Sequence, residues 1–172
     1  DIGSLEPSSS SLENIEAIPT TDAPGRARQL LAVGDSIFAT VRPYMKKVAY
    51  ISQEFDGEIA STGFCVLRPI EEQLHAKYLF YFLLSDDLLD QVLPLQRGVS
   101  YPAIRDNDLR NAFIPLPPIT EQQRIVAILE DYFSRMEATT KNSSRNVELA
   151  QRHHSELETC HTPTKTTMIK QL

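Results

Sequence analysis

The hydrophobic pattern of this chain changes period along its length, and the changes mark its elements. Residues 30–33, Leu-Leu-Ala-Val, form a short apolar run that meets the turn pair Gly34-Asp35, and Ile37-Phe38-Ala39-Thr40-Val41 then reads as a strand. Residues 47–52 and 58–67 flank Phe55-Asp56-Gly57, and Asp-Gly is a strong short-range hairpin signal. VAYIS and IASTGFCVL are therefore expected to pair as antiparallel strands, with Pro69 closing the second. Residues 75–92, dense in Leu, Tyr and Phe, predict one helix able to cover the sheet. A loop bearing Pro and Gly follows over 94–102, then an Asp-rich turn at 106–108 and an extended Phe113-Ile114. Residues 1–24 are acidic and serine-rich, which reads as a surface lead-in rather than as core.

The sharpest change lies within IPLPPITEQQRIV, residues 114–126. Prolines 115, 117 and 118 forbid a helix across the first half, because proline lacks a backbone N–H and pushes its predecessor toward extended geometry. The second half opens one: Thr120 is placed to cap it, Gln123 to complete a capping box, and Glu121 to sit against the positive end of the helix dipole. Ile125, Leu129, Tyr132 and Met136 then recur in steps of four and three, a narrow apolar stripe of coiled-coil type that needs a partner. A weaker seam continues through Thr139, Ser143, Val147, Ala150, His154 and Leu157. One helix over this span is about 60 Å long at about 1.5 Å per residue.

The expected fold class is α+β: a small globular domain with a twisted antiparallel sheet and a covering helix, followed by a long C-terminal coiled-coil-type helix. The expected divisions are 1–118 for the domain, with 1–24 its lead-in, 119–160 for the helix and 161–172 for a tail.

A chain of 172 residues, 41% hydrophobic and 23% charged, can bury one sizeable core. No transmembrane run or signal peptide is visible, which points to a soluble, cytoplasmic protein with no membrane partner. The chain opens at Asp1 without a methionine, as a processed or truncated chain does. Cys65 and Cys160 are too sparse and too separated for a disulfide framework and read as reduced thiols. A net charge of −6 argues against a generic nucleic-acid binder, although charge acts by patch rather than by total.

Enzyme signatures are missing from the sequence: no phosphate loop, no dinucleotide fingerprint, no nucleophile elbow and no zinc helix. Asp56 and Glu58 read as solvated turn residues rather than as an acid/base pair. His153, His154, Cys160 and His161 resemble metal ligands in composition, but their spacing lacks the two close pairs of a zinc finger, so neither metal nor cofactor is expected.

Two groups of cationic and planar side chains remain. Arg42, Lys46 and Lys47 are interleaved with Pro43 and Tyr44 at the bend between two expected strands; Arg97, Tyr101 and Arg105 surround Gly98 and Pro102. Arg and Lys bind phosphates and the guanine edge, Tyr stacks or donates a hydrogen bond, and Gly allows close backbone approach. Taken singly, each group also suits an ordinary solvated basic edge.

The segments GDSIFATVRPYMKKVAYI (34–51), ASTGFCVLRP (60–69), YLFYFLLS (78–85), GVSYPAI (98–104) and IPLPPITEQQRIVAILE (114–130) closely resemble, in this order, the target-recognition domain of a type I restriction-modification specificity subunit. The resemblance spans residue 34 to about residue 135. It implies a non-enzymatic reader of double-stranded DNA that recognises one half of a split target. The long helix would then be a spacer, pairing with a second spacer helix through Ile125, Leu129, Tyr132 and Met136 and docking methyltransferase subunits. The restriction subunit is a further candidate partner, and catalysis would reside on those partners. The DNA-contacting set this reading marks is Arg42, Tyr44, Lys46, Lys47, Arg97, Gly98, Ser100, Tyr101 and Arg105.

Members of that family usually carry two recognition domains and two spacers, whereas this sequence has one of each, as in a half subunit that pairs or a fragment. The alternative, from another class, is a protein-interaction adaptor that works through its coiled-coil helix and whose basic edges are merely solvated.

Overall fold

Strand β2 (Ser36–Ala39) is buried along its whole length, and the fold is built around it. A computed structural model of the chain describes Leu5, Leu12 and residues 22–160, with side chains through Thr140. Strands β3 (Val48–Tyr50) and β5 (Phe64–Leu67) flank β2 in a three-stranded antiparallel sheet of order β3-β2-β5. Successive strand residues point to opposite faces, so β2 feeds two cores. Phe38 joins Val48 and Cys65 against Leu79, Leu83, Leu88 and Val92 of the helical layer. Ile37 and Ala39 join Leu31, Ala49, Ile51 and Phe64 on the other side. That second core also takes Ala60 of β4 (Ile59–Ser61), which pairs antiparallel with β1 (Ala27–Leu30), and Leu31 lies just beyond β1. The class is therefore α+β with antiparallel sheets.

The expected hairpin between VAYIS and IASTGFCVL does not form. The second segment breaks at Thr62-Gly63 into β4 and β5, which join different sheets, and β3 pairs with β2 instead. Asp56 serves another purpose: its carboxylate accepts from the Val33 N–H at 2.9 Å, while the Gly57 N–H donates to the Leu31 carbonyl and the Leu31 N–H to Glu58. The Asp-Gly turn thus delivers the chain to β1, because strongly apolar β2 offers β3 a better partner than its sequence neighbour does.

The single helix expected over 75–92 is two. Helix α1 (Ala76–Leu83) stops before Ser85, whose hydroxyl accepts from the Leu88 N–H and starts α2 (Asp86–Val92), with Asp86 and Asp87 in its first turn. Ser-Asp-Asp is a helix-start signature that the run of Leu and Phe concealed. The Asp-rich turn at 106–108 begins a short helix, α3 (Asp106–Arg110). The lead-in is not all surface either. Leu5 is fully buried in the second core and bridges to Leu12; the rest of 1–21 lies outside the described residues.

Helix α4 runs from Ile119 to Cys160. It starts one residue before Thr120: the Pro118 carbonyl accepts from the N–H groups of Glu121 and Gln122 at 2.8 and 3.1 Å, so Thr120 lies inside the first turn rather than capping it. The side chain that closes this end is Gln122, not Gln123. It is wholly enclosed; its Nε2 donates to the carbonyls of Pro117 and Gln73 and its Oε1 accepts from the His75 N–H. The Tyr78 hydroxyl donates to the Pro115 carbonyl at 3.0 Å. Prolines suit this segment because they bring acceptors without donors that would need partners of their own.

The chain divides into two units, Asp1–Ala127 and Ile128–Leu172. In the first, the fully buried Asp35 is held by the Ala32 N–H and by a two-pronged contact from Arg68, both prongs 2.7 Å. Burial, with Asp106 nearby, pushes the Cys65 thiol up to about 11, so it is an inert, free core thiol. In the second unit, Tyr132 and Met136 are exposed, as are Ile128 and Phe133, while Leu129 is half-buried. The side chains of Ser143, Val147, Ala150, His153, His154, Leu157 and Cys160, and all of His161 and the tail, lie outside the described residues. Among the described residues no helix is long and apolar enough to cross a membrane, and no group of His, Cys, Asp and Glu could hold a metal.

Candidate nucleic-acid interface

The two basic groups, fifty or more positions apart in sequence, meet in the fold. Val41 and Arg97 each form an antiparallel bridge with Ala103, so one residue ties the end of the β2 segment to both arms of the 97–103 loop. The Arg42 N–H donates to the Pro102 carbonyl at 2.7 Å, and the Ile104 N–H to the Thr40 carbonyl at 2.9 Å. The Arg42 guanidinium then lies over the Tyr101 ring, 5.5 Å from its centroid, within the range of a cation–π contact.

The local backbone is unusual on both sides of that contact. Arg42 and Lys46 bracket the short turn Pro43–Met45 with left-handed φ of 52° and 47°. Such conformations cost non-glycine residues on the order of 1–3 kcal/mol and cluster at functional sites. Pro43 is buried and anchors the turn, leaving Tyr44 exposed. In the other loop Gly98 takes φ 90°, which a side chain would oppose.

Carboxylates hold two of the cations. Lys46 Nζ is 2.7 Å from Asp86, at the start of α2. Arg97 pairs with Asp108, whose carboxylate also accepts from the Arg105 N–H at 2.8 Å. The Arg97 hydrogen bond, with that N–H and the neighbouring positive charges, holds the Asp108 carboxyl below the usual carboxylate range. The same bond raises the Arg97 guanidinium further. Asp108 therefore locks the loop to α3 and fixes where Arg97 points.

Of the residues singled out from the sequence, Arg42, Tyr44, Arg97, Gly98, Ser100, Tyr101 and Arg105 are exposed, and Lys46 and Lys47 are half-buried. The structure brings Arg42, Arg97, Tyr101 and Arg105 into one neighbourhood, and Lys46 turns toward Asp86. The sequence reading missed Asp86, Asp108 and Val99. Asp108 had a signal, since an acid three residues after a helix boundary often turns back onto the boundary N–H. Such an arrangement offers cations of the kind that bind phosphates, an aromatic face and a narrow loop.

Residues 8–149 match the family described as "Type I restriction modification DNA specificity domain". The chain is 23% identical over 132 residues to the type I restriction enzyme HindI specificity subunit of Haemophilus influenzae, covering 76% of this chain and 29% of that protein. It is 27% identical over 115 residues to the EcoDI specificity subunit of Escherichia coli, covering 67% and 24%. Among solved structures, the HsdS subunit from Thermoanaerobacter tengcongensis matches with a TM-score of 0.75 at 38% identity, over 91% of this chain and 39% of that one. A chain from a study of complex assembly and conformational transition of the type I restriction-modification system matches with a TM-score of 0.80 at 35% identity, over 96% and 44%. The sequence thus spans less than half the length of these relatives. With a family match over most of its length and solved neighbours above 30% identity, the chain belongs to the type I restriction-modification DNA specificity family.

Proposed function

We propose that this chain reads one half of a split double-stranded DNA target as a non-catalytic specificity element, with residues 1–118 as reader, 119–160 as spacer and 161–172 as tail. The observation that carries the reading is the convergence of two separate basic and aromatic segments on Ala103, with Arg42 stacked on Tyr101. Phosphates would be gripped from the 42–47 turn, with Tyr44, Lys46 and Lys47, and bases read from the loop bearing Arg97, Gly98, Ser100, Tyr101 and Arg105. The spacer would pair with a second spacer helix, from another copy or a second half, through Ile125, Leu129, Tyr132 and Met136. It would also dock methyltransferase subunits, and with them the restriction subunit, in the cytoplasm. Catalysis belongs to those partners. An adaptor working through the helix alone is disfavoured, because the family match, over 8–149, takes in most of the globular unit as well as part of the helix.

Mapping of methylated bases tests the reading. DNA treated with this chain and its methyltransferase subunit should be modified only within one recurrent sequence. Modification that ignores sequence, or that is unchanged when the chain is left out, would refute it.

A further inference from the structure

We propose that Val99 is a base-reading contact that seats against the C5 methyl group of a thymine in the major groove, an inference that rests on the DNA-reading function above. Arg97 and Ala103 exchange reciprocal backbone hydrogen bonds of 2.9 Å, which closes residues 98–102 into a narrow loop. Gly98 makes that loop possible: its φ is 90°, and a Cβ there would come within 3.0 Å of the Tyr101 carbonyl oxygen. Within that loop Val99 is 100% exposed, two residues before Tyr101 at 72%.

A lone exposed apolar side chain is ordinary on a protein surface. Val99 differs by its setting. It stands out from a preformed loop flanked by Arg42, Arg97 and Arg105, so a duplex drawn to those charges is brought up to it. The major groove, about 12 Å wide, is broad enough for an α-helix or a β-ribbon and so leaves room for a narrow loop closed by one backbone bridge, and the apolar group displayed on its base edges is the thymine methyl. A branched aliphatic side chain has no hydrogen bond to offer there but can bury that methyl. Such a contact discriminates thymine from cytosine and also from uracil, which differs from thymine only by the methyl.

The test uses the chain assembled with its methyltransferase subunit and duplexes carrying the mapped target, with each thymine replaced singly by uracil. One replacement should weaken binding about four-fold, the factor that burying one methyl-sized group gives. The Val99→Ala complex should bind the parent duplex more weakly by a similar factor and be indifferent to that same uracil. Its binding to scrambled DNA and its salt dependence should not change; because the side chain is fully exposed, folding should be intact by circular dichroism. The proposal is overturned if no single uracil weakens wild-type binding, or if Val99→Ala retains the wild-type uracil penalty. Failure of the wild-type complex to prefer its target over scrambled DNA would be a different result, removing the DNA-reading function itself.

Discussion

The Oε1 of Gln122 accepts a hydrogen bond from the His75 N–H at 2.8 Å, joining the first turn of α4 to the segment that enters α1. Its Nε2 donates to the Gln73 carbonyl at 2.9 Å and the Pro117 carbonyl at 2.8 Å, so a wholly enclosed amide is satisfied on both ends. Replacing it by Leu leaves one N–H and two carbonyls short of a partner, and an unmet buried group costs about 1–3 kcal/mol. Gln122→Leu should therefore lower the unfolding free energy by about 3 kcal/mol in urea titration. Gln122→Glu is more telling. Its carboxylate cannot donate to the two carbonyls, so its folded pKa should rise above the unfolded value of about 4.3. This variant should lose stability as pH rises between the two values; a loss that does not depend on pH would contradict the hydrogen-bond account.

The Arg97–Asp108 pair gives a pH prediction of the opposite sign. Asp108 has a depressed folded pKa, so its contribution to stability is present above the unfolded value and is lost as pH falls through the folded one. Carboxyl NMR should show Asp108 titrating below the range of free aspartates, and Arg97→Ala should move it upward. An unmoved Asp108 resonance in that variant would mean that Arg97 is not its main partner in solution.

The assembly prediction concerns α4. Tyr132 and Met136 expose apolar surface, and Ile128 and Phe133 beside them widen it. If a second long helix covers this face, the chain should be dimeric by light scattering, and Leu129→Asp with Met136→Asp should yield monomers. A monomeric wild-type chain whose double variant keeps full stability would count against pairing.

The parts of the fold that sequence disclosed were those governed by local chemistry. The prolines and the change of period at 114–126 marked the entry to α4, and the apolar runs marked β2, β3 and β5. Strand partners were not legible, because Asp56-Gly57 satisfies a hairpin rule locally while pairing is decided by which strand best buries β2. The break at Ser85 was hidden for a similar reason: apolar content continues through it, and only the cap residue reveals two helices. Leu5 looked like part of a polar lead-in because its burial depends on a core assembled from distant residues.

For the candidate site, residue types were legible and their neighbours were not. Arg42 and Tyr101 each stood out in sequence, but their stacking depends on Ala103 bridging both segments, a long-range event. If Lys46 and Arg97 contact DNA as proposed, their carboxylate partners carry a cost, since a duplex would compete with Asp86 and Asp108 for those cations. Arg97 is accordingly better suited to a fixed, directional contact than to loose phosphate attraction.

Fluorescence anisotropy of target and scrambled duplexes, at several salt concentrations and with the methyltransferase complex assembled, tests the joint surface most directly. Lys46→Ala with Lys47→Ala should weaken binding to both duplexes alike and reduce the salt slope by up to about two, one for each phosphate no longer neutralised. Arg97→Ala or Tyr101→Ala should cost about 1–3 kcal/mol on the target and much less on scrambled DNA. Equal losses on both duplexes for every variant would leave only a nonspecific basic surface, and unchanged binding in all of them would place the DNA elsewhere on the protein.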